Sequence, residues 1–98
     1  MSEQAIVRSI MALLKKRGAW AFKTHGSPMS SGYPDIIACY KGFFVAFEVK
    51  QPSTKHTATP RQLAQIKLIN KAQGRARIVV SAEEVEALLD ELDLWFST

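Results

Sequence analysis

Ninety-eight residues, 47% of them hydrophobic, suffice for one compact domain (1–98) with a single core. No apolar run approaches the roughly 18 to 20 residues of a membrane span, MSEQAIVRSI lacks a signal peptide's basic-then-apolar layout, and the single cysteine, Cys39, excludes an internal disulfide, so a reducing, cytoplasmic setting is expected. The net charge of +4 conceals an asymmetry: residues 1 to 82 hold all thirteen Lys and Arg against three acids, Glu3, Asp35 and Glu48, whereas the last sixteen carry six acids, giving +10 and −6. The basic part suits a polyanion, nucleic acid before an acidic protein.

Residues 2 to 17 predict an amphipathic helix, with Ile6, Val7, Ile10, Met11, Leu13 and Leu14 recurring at three and four against Arg8, Lys15 and Lys16, and with Gly18 as its stop. Lys15, Lys16 and Arg17 at its end either complement the helix dipole or bind phosphate. AWAFKT (19–24) reads as an aromatic strand, and HGSPMSSGYP (25–34) as a loop long enough for a binding role. DIIACY (35–40) and FFVAFEVK (43–50) follow as two strands joined by a Lys41-Gly42 turn, at which Asn or Asp would be the better residue before the glycine. After a loop at 51–59, Thr59, Pro60 and Gln62 open a helix that runs to about Gln73 and is stopped by Gly74. ARIVV (76–80) is the last strand, and Ser81 with Glu84 forms a capping box for a final helix through Val85, Leu88, Leu89 and Leu92. The order is α-β-β-β-α-β-α.

A two-residue turn at 41–42 pairs Tyr40 with Phe43 and sets Asp35 opposite Glu48. Opposed residues have Cβ atoms roughly 4.5 to 5.5 Å apart, and like charges so placed need a neutraliser. A hard divalent cation held by one or two carboxylates meets that need, and Mg²⁺ is the natural choice. Alternation then puts Lys50 on the face of Glu48, where its ammonium is suited to act on attacking water and on phosphate charge. Glu3 lies one turn beyond the stripe of Val7, Ile10 and Leu14 and is expected to face inward, although favouring the positive end of its helix dipole is an equal reading. Gln62 lies on the Ile66 and Ile69 side of its helix and either faces inward there or, the preferred reading, simply completes the capping box with Thr59. His25 and His56 are read as surface or phosphate-facing residues rather than ligands. Cys39 is expected to be a buried structural thiol, and Trp20, Phe22, Trp95 and Phe96 to be core, with an oligomer contact open for the last two.

With PD at 34–35 and EVK at 48–50 on the arms of a hairpin after an initial helix, the chain resembles the PD-(D/E)XK nuclease superfamily. GYPD, FEVK and the following TPRQ are similar, more narrowly, to the stand-alone VRR-NUC (virus-type replication-repair nuclease) domains of phages and bacteria. The resemblance implies an α/β, restriction-endonuclease-like core with a mixed central sheet flanked by helices. It also implies Mg²⁺ or Mn²⁺ bound by Asp35, Glu48 and the carbonyl of Val49, with Glu3 as a further metal residue, Lys50 acting on the nucleophilic water, and Glu3 and Gln62 as accessory residues of the first and second core helices. Phosphodiester hydrolysis in branched DNA such as four-way junctions, by a homodimer in the cytoplasm of a bacterial or phage-infected cell, is the activity it implies. Two other readings stand beside it: a non-catalytic nucleic-acid-binding module of the same fold, and a subunit that docks on a larger enzyme through Trp95, Phe96 and the acidic last helix.

Overall fold

The computed structural model describes residues 1–24 and 32–97. Helix α1 (Glu3–Lys16) begins where the Ser2 hydroxyl accepts from the Ala5 amide. It is followed by β1 (Trp20–Lys23), β2 (Ile36–Tyr40), β3 (Phe43–Val49), a short 3-10 turn (Pro52–Thr54) inside the expected loop, α2 (Pro60–Lys71), β4 (Arg75–Val79) and α3 (Ala82–Ser97). The expected element order therefore holds, with ends moved by a residue or two. His25 and most of the proposed binding loop lie outside the described residues.

The four strands form one mixed sheet in the order β1-β2-β3-β4: β1, β2 and β3 run antiparallel, and β4 lies parallel to β3. The antiparallel pairs follow from short connections, whereas β3 and β4 need α2 as their crossover. The β2–β3 turn has the expected two residues, with Tyr40 facing Phe43. Both are left-handed, Lys41 at φ 51° and Gly42 at φ 86°, the backbone that matches the twist of a tight hairpin.

One face of the sheet offers Ile36, Ala38, Tyr40, Val45, Phe47, Val49 and Val79 to Ile6, Ile10 and Leu14 of α1 and to Val85, Leu88, Leu89 and Leu92 of α3; all are buried in one cluster. Helix α1 is turned slightly from the expected stripe, so that Ile6 is fully buried and Val7 only partly. On the other face α2 covers β3 and β4: Ala46 and Ala76 are buried there, and the Asn70 amide exchanges hydrogen bonds with Ala76. The left-handed residue after α2 is Gln73 (φ 77°) rather than Gly74. Gly74 serves close packing instead, since a Cβ there would sit 2.7 Å from the Ile69 side chain and 3.2 Å from Phe44.

Two burial expectations are corrected. Cys39 is exposed, and Trp20, Phe22, Trp95 and Phe96 are 64%, 48%, 63% and 61% exposed rather than core. Trp20, Phe22 and Cys39 stand on the sheet face that α1 and α3 leave free, over strands that α2 does not reach. Trp95 and Phe96 lie in the last turns of α3, beyond Leu92, its last buried residue.

Candidate active site

Asp35 stands immediately before β2 and is fixed through its backbone and its side chain. Its carbonyl accepts from the Thr24 amide at 2.9 Å, the Thr24 hydroxyl donates to the carbonyl of Pro34 at 2.6 Å, and the Val49 amide donates to Oδ2 of Asp35 at 2.8 Å. The β2–β3 register runs from Tyr40–Phe43 to Ile36–Phe47, so its next step sets Asp35 across from Glu48, as expected. Glu48 lies on the central strand and is only 4% exposed, an unusual place for a carboxylate unless it is compensated.

That compensation is incomplete among the described protein groups. Lys50, on the same face two residues on, brings Nζ to 3.7 Å from Oε2 of Glu48, and the Gln62 amide donates to the same oxygen at 3.1 Å. Burial first, and then the negative charge of Asp35, outweigh Lys50 and push the Glu48 carboxyl up to about 7; Glu3 adds a smaller push in the same direction. Two close carboxylates that one ammonium does not neutralise form a hard-oxygen donor set suited to Mg²⁺ or Mn²⁺. Asp35 and Glu48 are the carboxylates that could hold such an ion.

Gln62 completes the capping box, its preferred sequence reading, and also reaches Glu48. Its Oε1 accepts from the Thr59 amide at 2.9 Å while its own amide hydrogen bonds to Thr59 Oγ1 at 3.1 Å, completing the capping box, and its Nε2 is the group that reaches Glu48. The same cap thus fixes the start of α2 and aims one carboxylate.

Glu3 departs from expectation. It is exposed, because the first turn of α1 extends past the buried stripe, and among the described residues no three His, Cys, Asp or Glu side chains gather as a metal-holding group. It shares instead a cavity of about 480 Å³ with Gln4, Val7, Arg8, Lys23, Thr24 and Asp35. Arg8 and Lys23 thereby become the cations on the Asp35 side, and Thr24 the residue that positions Asp35. Sequence reading had left Arg8 on the polar side of its helix. The available signal was spacing: Glu3 with Val7 and Gln4 with Arg8 are i,i+4 pairs, so all four share one side of the first turns.

The other candidates separate. His56 is exposed. Arg17 is committed to the fold: its guanidinium lies 2.9 Å from Asp90, 3.0 Å from Asp93 and 3.6 Å from Glu86, and it donates to the Tyr40 hydroxyl. With Lys41–Asp93 at 2.6 Å and Arg77–Glu91 at 3.5 Å, several acids of α3 find their counter-charges within the chain. An acidic last helix held free for a foreign partner fits poorly with those pairings.

Comparison with known proteins agrees with this architecture. The profile of the family described as archaeal Holliday junction resolvase (Hjc) matches residues 3–95. A solved structure described as a VRR_NUC domain superposes with a TM-score of 0.69 at 23% identity, covering 90% of this chain and 94% of the other. A second, described as a VRR_NUC domain protein, gives 0.66 at 21%, covering 93% and 87%. The fold implied by the VRR-NUC resemblance is thus the fold found. A comparison with curated proteins gave no match.

Proposed function

Because the chain belongs to the archaeal Holliday junction resolvase (Hjc) family, and is thus a nuclease of the PD-(D/E)XK type, we propose that it cuts phosphodiester bonds of branched DNA, four-way junctions above all, as a Mg²⁺- or Mn²⁺-dependent homodimeric endonuclease. The observation that supports this reading is the buried Glu48 carboxylate, set beside Asp35, touched by Lys50 and aimed by Gln62.

Asp35 and Glu48, with the Val49 carbonyl, are the metal ligands in this reading. A bound divalent ion would supply Lewis-acid stabilisation of a phosphoryl oxygen and a more acidic water. The chain's own groups do the rest. Gln62 and the Val49 amide hold the two carboxylates in place without contributing charge. Lys50, with its side chain only 12% exposed, keeps its ammonium within reach of the site, where it orients the attacking water and steadies negative charge growing on the phosphate. Arg8 and Lys23, which line the same cavity as Glu3, receive neighbouring phosphates of the strand. Glu3 is the outlying acidic member of the set. A twofold dimer suits a junction, whose equivalent strands then meet equivalent sites.

The test is a panel of single strand, duplex, flap, fork and four-way junction incubated with Mg²⁺ or Mn²⁺, beside Glu48→Ala. Junction cleavage that requires the metal and disappears in the variant is expected. Equal cutting of every substrate would overturn the junction preference, and equal cutting by Glu48→Ala would overturn the site. Metal-independent binding with no cleavage by the wild type would favour a non-catalytic binding module.

A further inference from the structure

Among the described residues, the face of the sheet that carries Glu48 is only half covered. Across β1, β2 and β3 the register lines up Trp20–Cys39–Phe44 in one row and Phe22–Ile37–Ala46 in the next. Helix α2 lies over β3 and β4, leaving Trp20 64%, Phe22 48% and Phe44 45% exposed, with Cys39 exposed between them and the Trp20 and Phe22 rings stacked 6.3 Å apart. Helix α2 is itself unfinished as a layer: none of its residues is fully buried. We propose that this aromatic face is the surface through which two copies of the chain associate, with the twofold axis passing near Cys39. The inference rests on the homodimer reading and adds to it the surface.

Charge and area both favour a second copy as the occupant. The two rows contain no charged side chain, whereas the chain as a whole carries +4. Two such chains repel except where they present neutral surface, and a polyanion would be held by cations that these two rows lack. A Trp or Phe buries about 150 to 250 Å² when covered, so the three half-exposed rings supply on the order of 350 Å² of aromatic surface. With Ile37, Cys39 and the backbone around them, that forms the apolar centre of an interface of roughly 800 Å² per partner, the usual size of a stable one. An isologous contact needs a self-complementary patch, and a neutral aromatic face meets that need without matched charges.

The other exposed apolar group, Leu94, Trp95 and Phe96, is less suited. Phe96 already has the Lys41 ammonium 5.3 Å from its ring, and that lysine is also paired with Asp93, so the group is bordered by charged pairs that a neutral contact would have to cover. The aromatic rows also keep the catalytic groups clear. Asp35 is four residues from Cys39, or about 13 Å along an extended strand, which sets each site toward the rim of the contact.

Cys39, the chain's one thiol, reports on the contact. The wild type should have the mass of a dimer in light scattering, and its thiol should react with a maleimide at least tenfold more slowly in the dimer than after dilution to the monomer. Trp20→Glu and, separately, Cys39→Arg should give folded monomers by circular dichroism and light scattering, while Phe96→Glu should remain dimeric. A wild type that is monomeric at every concentration would overturn the homodimer reading and this surface with it. Persistent dimers in both face variants, or a monomer only with Phe96→Glu, would overturn the surface and leave the dimer standing. Weaker DNA binding by Trp20→Glu at unchanged dimer mass would identify the face as a base-stacking platform, and likewise overturn it.

Discussion

At the scale of the residue, Glu48 combines the clearest sequence signal with the highest structural cost. Its pairing with Asp35 and its shared face with Lys50 were legible because strand register and alternation are rules of backbone geometry. What alternation does not report is depth, which depends on α2 and its Gln62 amide packing from elsewhere in the sequence. Glu3 is exposed rather than inward for a related reason: a helical projection gives direction around the axis, not whether the sheet still lies beneath the first turn. The depth of Glu48 has a measurable consequence in the metal-free protein. Its carboxyl rises from 4.5 to about 7 on folding, so its contribution to stability is fully present below the unfolded value and is lost as pH rises through about 7. Glu48→Gln should remove that loss. The amide oxygen still accepts from Gln62, while the new NH₂ faces the Asp35 carboxylate that previously repelled it. Thermal melts in chelator should therefore show the variant several degrees more stable than wild type at pH 8, with the difference shrinking toward pH 4. A constant offset across that range would mean that the charge on Glu48 carries no folding cost.

At the scale of the element, boundaries were read well wherever caps and turns dictate them. The Ser81–Glu84 cap of α3 forms with a shift, since Glu84 accepts from the Val80 amide at 2.6 Å rather than from Ser81, while the Ser81 hydroxyl still accepts from Glu84. Lys41 illustrates a local preference overruled. Asn would suit its left-handed backbone better, but the lysine reaches Asp93 on α3 and lies over the Tyr40 ring. Asp93 gathers Lys41, the Tyr40 hydroxyl and Arg17, joining the hairpin and the end of α1 to the last helix. Sequence showed Asp93 only as part of a tail of like charge, because its partners lie about 50 to 75 residues away in the chain. Lys41 first, and then Tyr40, hold the Asp93 carboxyl down at about 2, below its usual 3.8. A depressed carboxylate stabilises above its unfolded value and loses that contribution as pH falls through the folded one, the opposite sign to Glu48. Asp93→Asn should therefore melt several degrees below wild type at pH 7, and the two curves should converge between pH 4 and about 2. An equal gap at pH 2 would mean that Asp93 acts by packing rather than by charge.

At the scale of the whole molecule, the division of charge seen in the sequence becomes a division of labour. Four acids of α3, Glu86, Asp90, Glu91 and Asp93, pair at the surface with Arg17, Lys41 and Arg77, while Arg8 and Lys23 stand beside Asp35 with no acid of that helix among the groups lining their cavity. Arg8 and Lys23 thus stand beside the candidate site, and binding should depend on salt through those two positions. Each lost phosphate contact lowers the slope of log affinity against log salt by about 0.9 on duplex DNA, so Arg8→Gln with Lys23→Gln should lower it by about 2. The measurement is binding of a four-way junction in chelator across a salt series, where cleavage is absent and only electrostatics varies. The double variant should bind more weakly at low salt and approach the wild type at high salt, where counterion release contributes least. Lys67→Gln with Lys71→Gln, which removes the same charge from the exposed side of α2, should leave the slope closer to that of wild type. If both pairs change the slope equally, the DNA samples net charge alone and the cavity beside Asp35 is not its track; if neither changes it, the polyanion lies on another surface.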